Sequence, residues 1–245
     1  MSSVADLEMA PFFGDVGPAQ RVQGDFIDVH TCVASGDEPQ PAVVFVHGGP
    51  LPRDVHPRPR DRPVFIGYGA LAAAAGLVGI TFNHRLYTDA DYPVAADDVT
   101  TAVEQTRALD GVDPERVGLW FFSGGGPLAA DWMRLAPSWL RCIAWSYPVL
   151  APPPDWHGDI PRFDAITALA IAPELPKLLV RVGKEYAPLV PNQDAFVDAA
   201  RTHHAALDVI DIPDADHGFE GFGYPEHSRA AVREAMDLVA TAVRG

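Results

Sequence analysis

Short runs of almost uninterrupted apolar residues at 41–46, 77–82, 117–122 and 140–147 alternate with stretches of helical spacing, and no other feature constrains the fold as strongly. A strand with one wet face alternates apolar with polar residues, whereas a strand covered on both faces is apolar throughout. Helices between such strands supply that cover, so the chain reads as α/β, with a mostly parallel central sheet flanked by helices. Further strands are expected at 21–33, 178–182 and 207–212, and helices at 68–75, 95–109, 127–135, 192–203 and 226–243. Asp97 and Asp98 are expected in the first turn of the second of these helices, where carboxylates suit the positive end of the helix dipole. Residues 113–116, Asp-Pro-Glu-Arg, are expected to turn into the strand 117–122.

With 245 residues the chain can bury one full core, and no linker or repeat divides it. Residues 1–245 are therefore read as a single domain, with the proline-rich stretch 148–172 as a lid-like insertion. Eighteen basic against thirty-three acidic residues give a formal charge of −15, which repels phosphate backbones and anionic lipid. Neither nucleic acid nor a membrane is an expected partner, and the longest apolar stretch, 70–82, is too short to span a bilayer. The start of the chain lacks a basic segment followed by an apolar run, so no secretory signal is read and a cytoplasmic location is expected. Cys32 and Cys142 are too few for a disulfide framework and stand apart from any metal-ligand spacing; both are expected as reduced core residues. His203 and His204 are adjacent and would diverge on a helix, and the glycines at 124–126 lack the lysine of a phosphate loop. No metal and no cofactor is expected, and the oligomeric state is left open.

A serine hydroxyl becomes a nucleophile when an imidazole takes its proton, a third group orients that imidazole, and amide donors receive the developing oxyanion. Of the seven serines, Ser123 alone combines a preceding apolar strand, three following glycines and a following helix. That places it on a sharp strand-to-helix turn, with small neighbours where backbones crowd.

Five landmarks carry a family resemblance: the loop His47-Gly48-Gly49-Pro50, the segment Asn83-His84-Arg85-Leu86, the approach Asp113-Pro114-Glu115-Arg116-Val117, the Ser123 turn, and Asp216-His217-Gly218-Phe219. Over nearly its whole length the chain resembles a small α/β-hydrolase, close to the dienelactone-hydrolase-like and esterase or lipase-like branches. The resemblance implies an α/β-hydrolase fold, a nucleophile at Ser123 and a base at His217. It implies an acid in the loop after strand 178–182, where Glu185 is the first candidate and Asp194 the second. The other histidines named as structural are His30, His56, His157, His203, His204 and His227, with His47 supporting the oxyanion loop. The oxyanion donors implied are the amides of Gly49 and Gly124. One residue departs from the pattern: Phe121 stands where the elbow usually has its first glycine, so the neighbouring helix is expected to recede, with Gly124, Gly125 and Gly126 giving room.

The activity implied is serine-dependent hydrolysis of a carboxylic ester, lactone or thioester through an acyl-enzyme. The residues leave open peptide cleavage, acyl transfer or cyclisation by the same triad, and a non-catalytic binding protein of this fold. Tyr87, Trp156 and Phe163 are the candidate substrate-binding side chains for a small-molecule ester-like substrate. Packing of the insertion against the core is their alternative role.

Overall fold

The computed structural model describes residues 13, 16, 19–32, 38–152, 156, 161–221 and 226–245. Residues 1–12, 14, 15, 17, 18, 33–37, 153–155, 157–160 and 222–225 lie outside that set, and with them the expectation for His157.

Eight strands form one sheet: β1 Ala19–Gln23, β2 Ile27–Cys32, β3 Gln40–Val46, β4 Val78–Phe82, β5 Val112–Phe122, β6 Leu140–Ser146, β7 Lys177–Lys184 and β8 Leu207–Asp216. Their spatial order is β1-β2-β4-β3-β5-β6-β7-β8. Strands β4, β3, β5, β6, β7 and β8 run parallel, while β1 and β2 add an antiparallel edge. The single early strand expected at 21–33 is two strands folded back on each other, because the Gly24-Asp25 turn reverses the chain and Gly24 N–H donates to Ile27 O at 3.1 Å.

Six α-helices are described: α1 Pro63–Ala74, α2 Tyr92–Arg107, α3 Ala129–Leu135, α4 Ala165–Ala168, α5 Val190–Thr202 and α6 Glu226–Arg244. One core lies between the sheet and α2 to α5, and a second lies between the sheet and α1 with α6. This two-sided cover explains why Val43, Val44, Trp120, Phe121, Ile143 and Trp145 are all buried although neighbours along a strand point to opposite faces.

Several boundaries differ from the sequence expectation. Helix α2 starts at Tyr92 with a proline in its first turn, so Asp97 and Asp98 fall in the second turn and the dipole argument does not apply to them. Asp98 is instead 3% exposed and takes a forked ion pair from Arg85, whose Nη2 lies 2.7 Å from Oδ1. Residues 113–116 belong to β5 itself, across a register break against β3, rather than to a separate turn. Cys142 is buried, but Cys32, near the sheet edge, is only half-buried and is not a core residue.

The described part of 148–172 packs onto the first core. Leu150 and Phe163 are fully buried there, and Arg134 of α3 donates to the carbonyls of Pro161, Arg162 and Asp164. Phe121 also enters this core, paired in register with Val46 and Trp145. Truncating a fully buried aromatic ring leaves a cavity that close-packed neighbours refill only in part. Phe121→Ala is therefore expected to lower stability by about 3–5 kcal/mol, read as a lower urea midpoint at unchanged slope.

Candidate active site

Ser123 follows β5 directly and opens a 3-10 turn, Ser123–Leu128, that leads into α3. Its φ of 48° is left-handed, a conformation unfavourable for a residue with a side chain and sustained only by the surrounding structure. Backbone crowding enforces that turn. A Cβ on Gly124 would stand 1.7 Å from Gly49 O, and one on Gly48 would meet the Ser123 Cβ at 3.0 Å. The glycines thus let the loop after β3 lie directly on the serine turn. Phe121 fits because the chain leaves β5 as a 3-10 turn, which rises more steeply than an α-helix and carries the first α-helical residues of α3 further along. Trp145, beside Phe121 in register, donates from Nε1 to Gly126 O at 3.3 Å and ties the same turn to β6.

His217 follows β8 directly, and its Nε2 lies 2.7 Å from Ser123 Oγ. Its Nδ1 lies 2.6 Å from Glu185 Oε1, immediately past the end of β7. The Glu185 side chain is 1% exposed and is saturated with donors: Tyr186 N–H reaches Oε1 at 2.8 Å and Gln193 Nε2 reaches Oε2 at 3.0 Å. With Nδ1–H held by the carboxylate, Nε2 is the free acceptor facing the serine hydroxyl. Asp194, the other carboxylate considered, points elsewhere: it is exposed on α5 and pairs with Arg181 at 3.0 Å.

The glycine loop lies against the serine turn, with Gly48 beside Ser123 and Gly124 beside Gly49 O. Gly124 N–H belongs to the first residues of a helical turn, which have no intrahelical acceptor. Its peptide plane is fixed by Val149 N–H donating to Ser123 O at 3.0 Å, and the next one by Tyr92 Oη donating to Gly124 O at 2.6 Å. The Tyr92 hydroxyl, buried, has its pKa pushed up and stays a donor. Trp156 and Phe163 back this tyrosine at ring centroid distances of 4.4 Å and 5.4 Å. Tyr87 is half-buried beyond Leu86, which touches Gly49, and carries the Arg53 guanidinium over its ring at 4.7 Å. Nothing in the sequence marked Tyr92, Gln193 or Tyr186 for these contacts, since each is an ordinary residue of a helix or loop until the chain folds.

Two buried imidazoles hold the glycine loop. His47 and His84 stack at 3.5 Å between centroids. His84 N–H donates to His47 Nε2 at 3.1 Å, so His47 carries its proton on Nδ1 and gives it to Gly48 O at 2.6 Å. His84 Nε2 in turn donates to His47 O at 2.8 Å. Both rings are neutral: burial holds His47 well below its usual range and pulls His84 down to about 4. Among the described residues no group of three or more His, Cys, Asp or Glu could hold a metal ion, and no helix is long and apolar enough to cross a membrane.

No protein-family model and no curated protein matches the sequence. Solved structures do match in three dimensions. Esterase Est22 superposes with a TM-score of 0.74 over 99% of this chain and 87% of its own, at 15% identity. A mutant of the esterase rPPE gives 0.73 over 99% and 91%, also at 15% identity. Brefeldin A esterase, a bacterial homologue of human hormone-sensitive lipase, gives 0.67 over 92% and 76% at 16% identity. The chain has the α/β-hydrolase fold. Within that fold the triad-like set lies at the carboxyl ends of parallel strands, where crevices of open α/β sheets form.

The neutral histidines make stability pH-dependent. In the unfolded chain they bind protons near pH 6.5, whereas His84 in the folded chain does so only near 4. Between those values the unfolded state holds more protons, so stability is full above about pH 6.5 and lost as pH falls. The unfolding free energy is expected to drop by about 1.4 kcal/mol per pH unit for each of His47 and His84, measured by denaturant titration across that window.

Proposed function

We propose that this protein is a serine hydrolase that cleaves a carboxylic ester, lactone or thioester through an acyl-enzyme. The observation that carries the reading is the unbroken hydrogen-bonded chain from Ser123 Oγ through the His217 ring to Glu185, at 2.7 Å and 2.6 Å. In it, Ser123 Oγ attacks the substrate carbonyl while Nε2 of His217 takes the hydroxyl proton. Glu185 keeps the imidazole in the required tautomer and stabilises the imidazolium. The carbonyl oxygen becomes an oxyanion received by the amides of Gly49 and Gly124, whose preorganisation removes the cost of reorienting donors during reaction. Collapse of the adduct breaks the bond to the alcohol or thiol, which leaves with the proton from His217. Water, deprotonated by the same ring, then releases the acid and restores Ser123.

The esterases that share the fold support this reaction class, though at 15–16% identity they speak to architecture and not to substrate. Tyr87 bounds the site on the side of the glycine loop, and Trp156 with Phe163 forms its apolar backing behind Tyr92. The segment 148–172 acts in this reading as the lid of a single domain, and the substrate is a small molecule.

Ser123→Ala is expected to abolish hydrolysis of a short-chain activated ester and labelling by a fluorophosphonate, read by gel fluorescence. Labelling that persists in this variant would remove Ser123 from the mechanism. Absence of labelling in the unaltered protein would favour a non-catalytic binding role. Glu185→Gln is expected to lower kcat by about 1,000- to 10,000-fold, whereas Asp194→Asn leaves steady-state turnover unchanged.

A further inference from the structure

Three residues beyond His217 the chain buries a carboxylate that this chemistry does not use. Glu220 is 4% exposed and accepts from two tyrosines: Tyr68 Oη reaches Oε1 at 2.6 Å and Tyr147 Oη reaches Oε2 at 2.8 Å. Tyr68 comes from α1 and Tyr147 from the end of β6, so three separate parts of the chain converge on one side chain. The Trp120 indole can only donate, and it reaches Ser146 Oγ at 3.0 Å. Tyr68, from the other side, places its hydroxyl on Glu220.

Each carboxylate oxygen of Glu220 receives one phenolic hydrogen bond. A neutral Glu220 would need an acceptor for its own proton, yet both of its tyrosine partners already direct theirs toward it. The geometry therefore assigns Glu220 a negative charge. Burial pushes its pKa above the usual carboxylate value, and the Tyr68 and Tyr147 hydroxyls offset only part of that rise. Burial first, and then the Glu220 charge, push both phenols far up, which keeps them as donors.

This charge stands behind the imidazole. The Tyr147 ring lies against His217 at 4.8 Å between centroids, and Tyr147 itself has a φ of 40° and donates from its amide to Val180 O at 2.8 Å. The groups against His217 are Ser123 following β5, Glu185 and Tyr186 following β7, and Tyr147 following β6, with Glu220 acting from its own segment and Asp216 preceding it in the chain. Those that face Glu220 are Tyr68 from α1, Tyr147 from β6 and His217. Among the described residues no Lys or Arg pairs with it.

We propose that Glu220 is a positioning residue: with its two tyrosine donors it holds the Tyr147 ring against His217 and adds a second buried negative charge that favours the imidazolium formed when Ser123 gives up its proton. This inference rests on the hydrolase reading of Ser123 and His217. A charge in a low-dielectric interior acts across such a gap without touching the ring, which it would not do in water.

Glu220→Gln removes the charge and keeps the size. Without that charge the imidazolium is less stable, so the acid limb of kcat/KM for a short-chain ester is expected to move down by about one pH unit. In the same variant kcat is expected to fall about tenfold with KM unchanged. Tyr147→Phe and Tyr68→Phe each delete one donor while keeping the ring, and are expected to move the limb the same way by less. Proton NMR titration of the His217 ring in a Ser123→Ala background reads the same shift with no turnover, so a protein that hydrolyses no ester still tests Glu220. An unmoved His217 titration in folded Glu220→Gln overturns the proposal, even if kcat falls, because packing alone would then explain the loss. Should Glu220→Gln not fold, an unmoved titration in both tyrosine variants overturns it equally.

Discussion

The parallel run of β4, β3, β5, β6, β7 and β8 is the constraint on which the rest of the structure depends. It places the carboxyl ends of six strands along one edge, and the residues just past those ends meet there. His84 to Tyr87 follow β4, His47 to Gly49 follow β3, and Ser123 follows β5. Tyr147 follows β6, Glu185 follows β7, and His217 follows β8. Rigid strands with a cross-strand spacing of about 4.8 Å leave little freedom for these positions, so a hydrogen-bonded set can form without ordering long loops.

At the centre of that edge, two stretches of backbone approach more closely than side chains allow. The glycine loop after β3 lies on the serine turn after β5, and Gly124 faces the Gly49 carbonyl with no room for a methyl group. Such contact leaves polar groups to be satisfied away from water. The stacked His47 and His84 rings do this for the loop, and Tyr92 with Val149 does it for the turn. Neutral imidazoles suit the task, since each offers one donor and one acceptor and avoids the cost of burying a charge.

Charge is concentrated on the other side of the site. Glu185 is stripped of solvent but saturated with donors, and Glu220 is buried beneath Tyr147 with a donor on each oxygen. His217 therefore touches one carboxylate and meets the other only through the Tyr147 ring. In a chain of net charge −15 these two differ from the many surface carboxylates in being dry, which is what gives their fields reach.

The sequence by itself determined the sheet and where it would expose its chemistry. Apolar runs cannot lie at a surface, and glycines in a row after such a run permit a turn that other residues resist. It also singled out Ser123 by its place between strand, glycines and helix, while the family resemblance pointed to His217 and, ahead of Asp194, to Glu185. Boundaries were less legible where a turn signal was absorbed into a strand, as at 113–116, or where a hairpin split one apolar stretch, as at Gly24. Only the tertiary structure showed which carboxylate meets His217, since Glu185 lies in the loop after β7 at 2.6 Å from Nδ1 while Asp194 lies within α5 and pairs with Arg181. It alone revealed how Phe121 is accommodated, and it alone joined Tyr68, Tyr147 and Glu220. Those residues are 73 and 152 positions from Glu220 along the chain. No local pattern relates them, and their hydrogen bonds exist only because α1, the end of β6 and the segment after β8 meet on one face of the sheet.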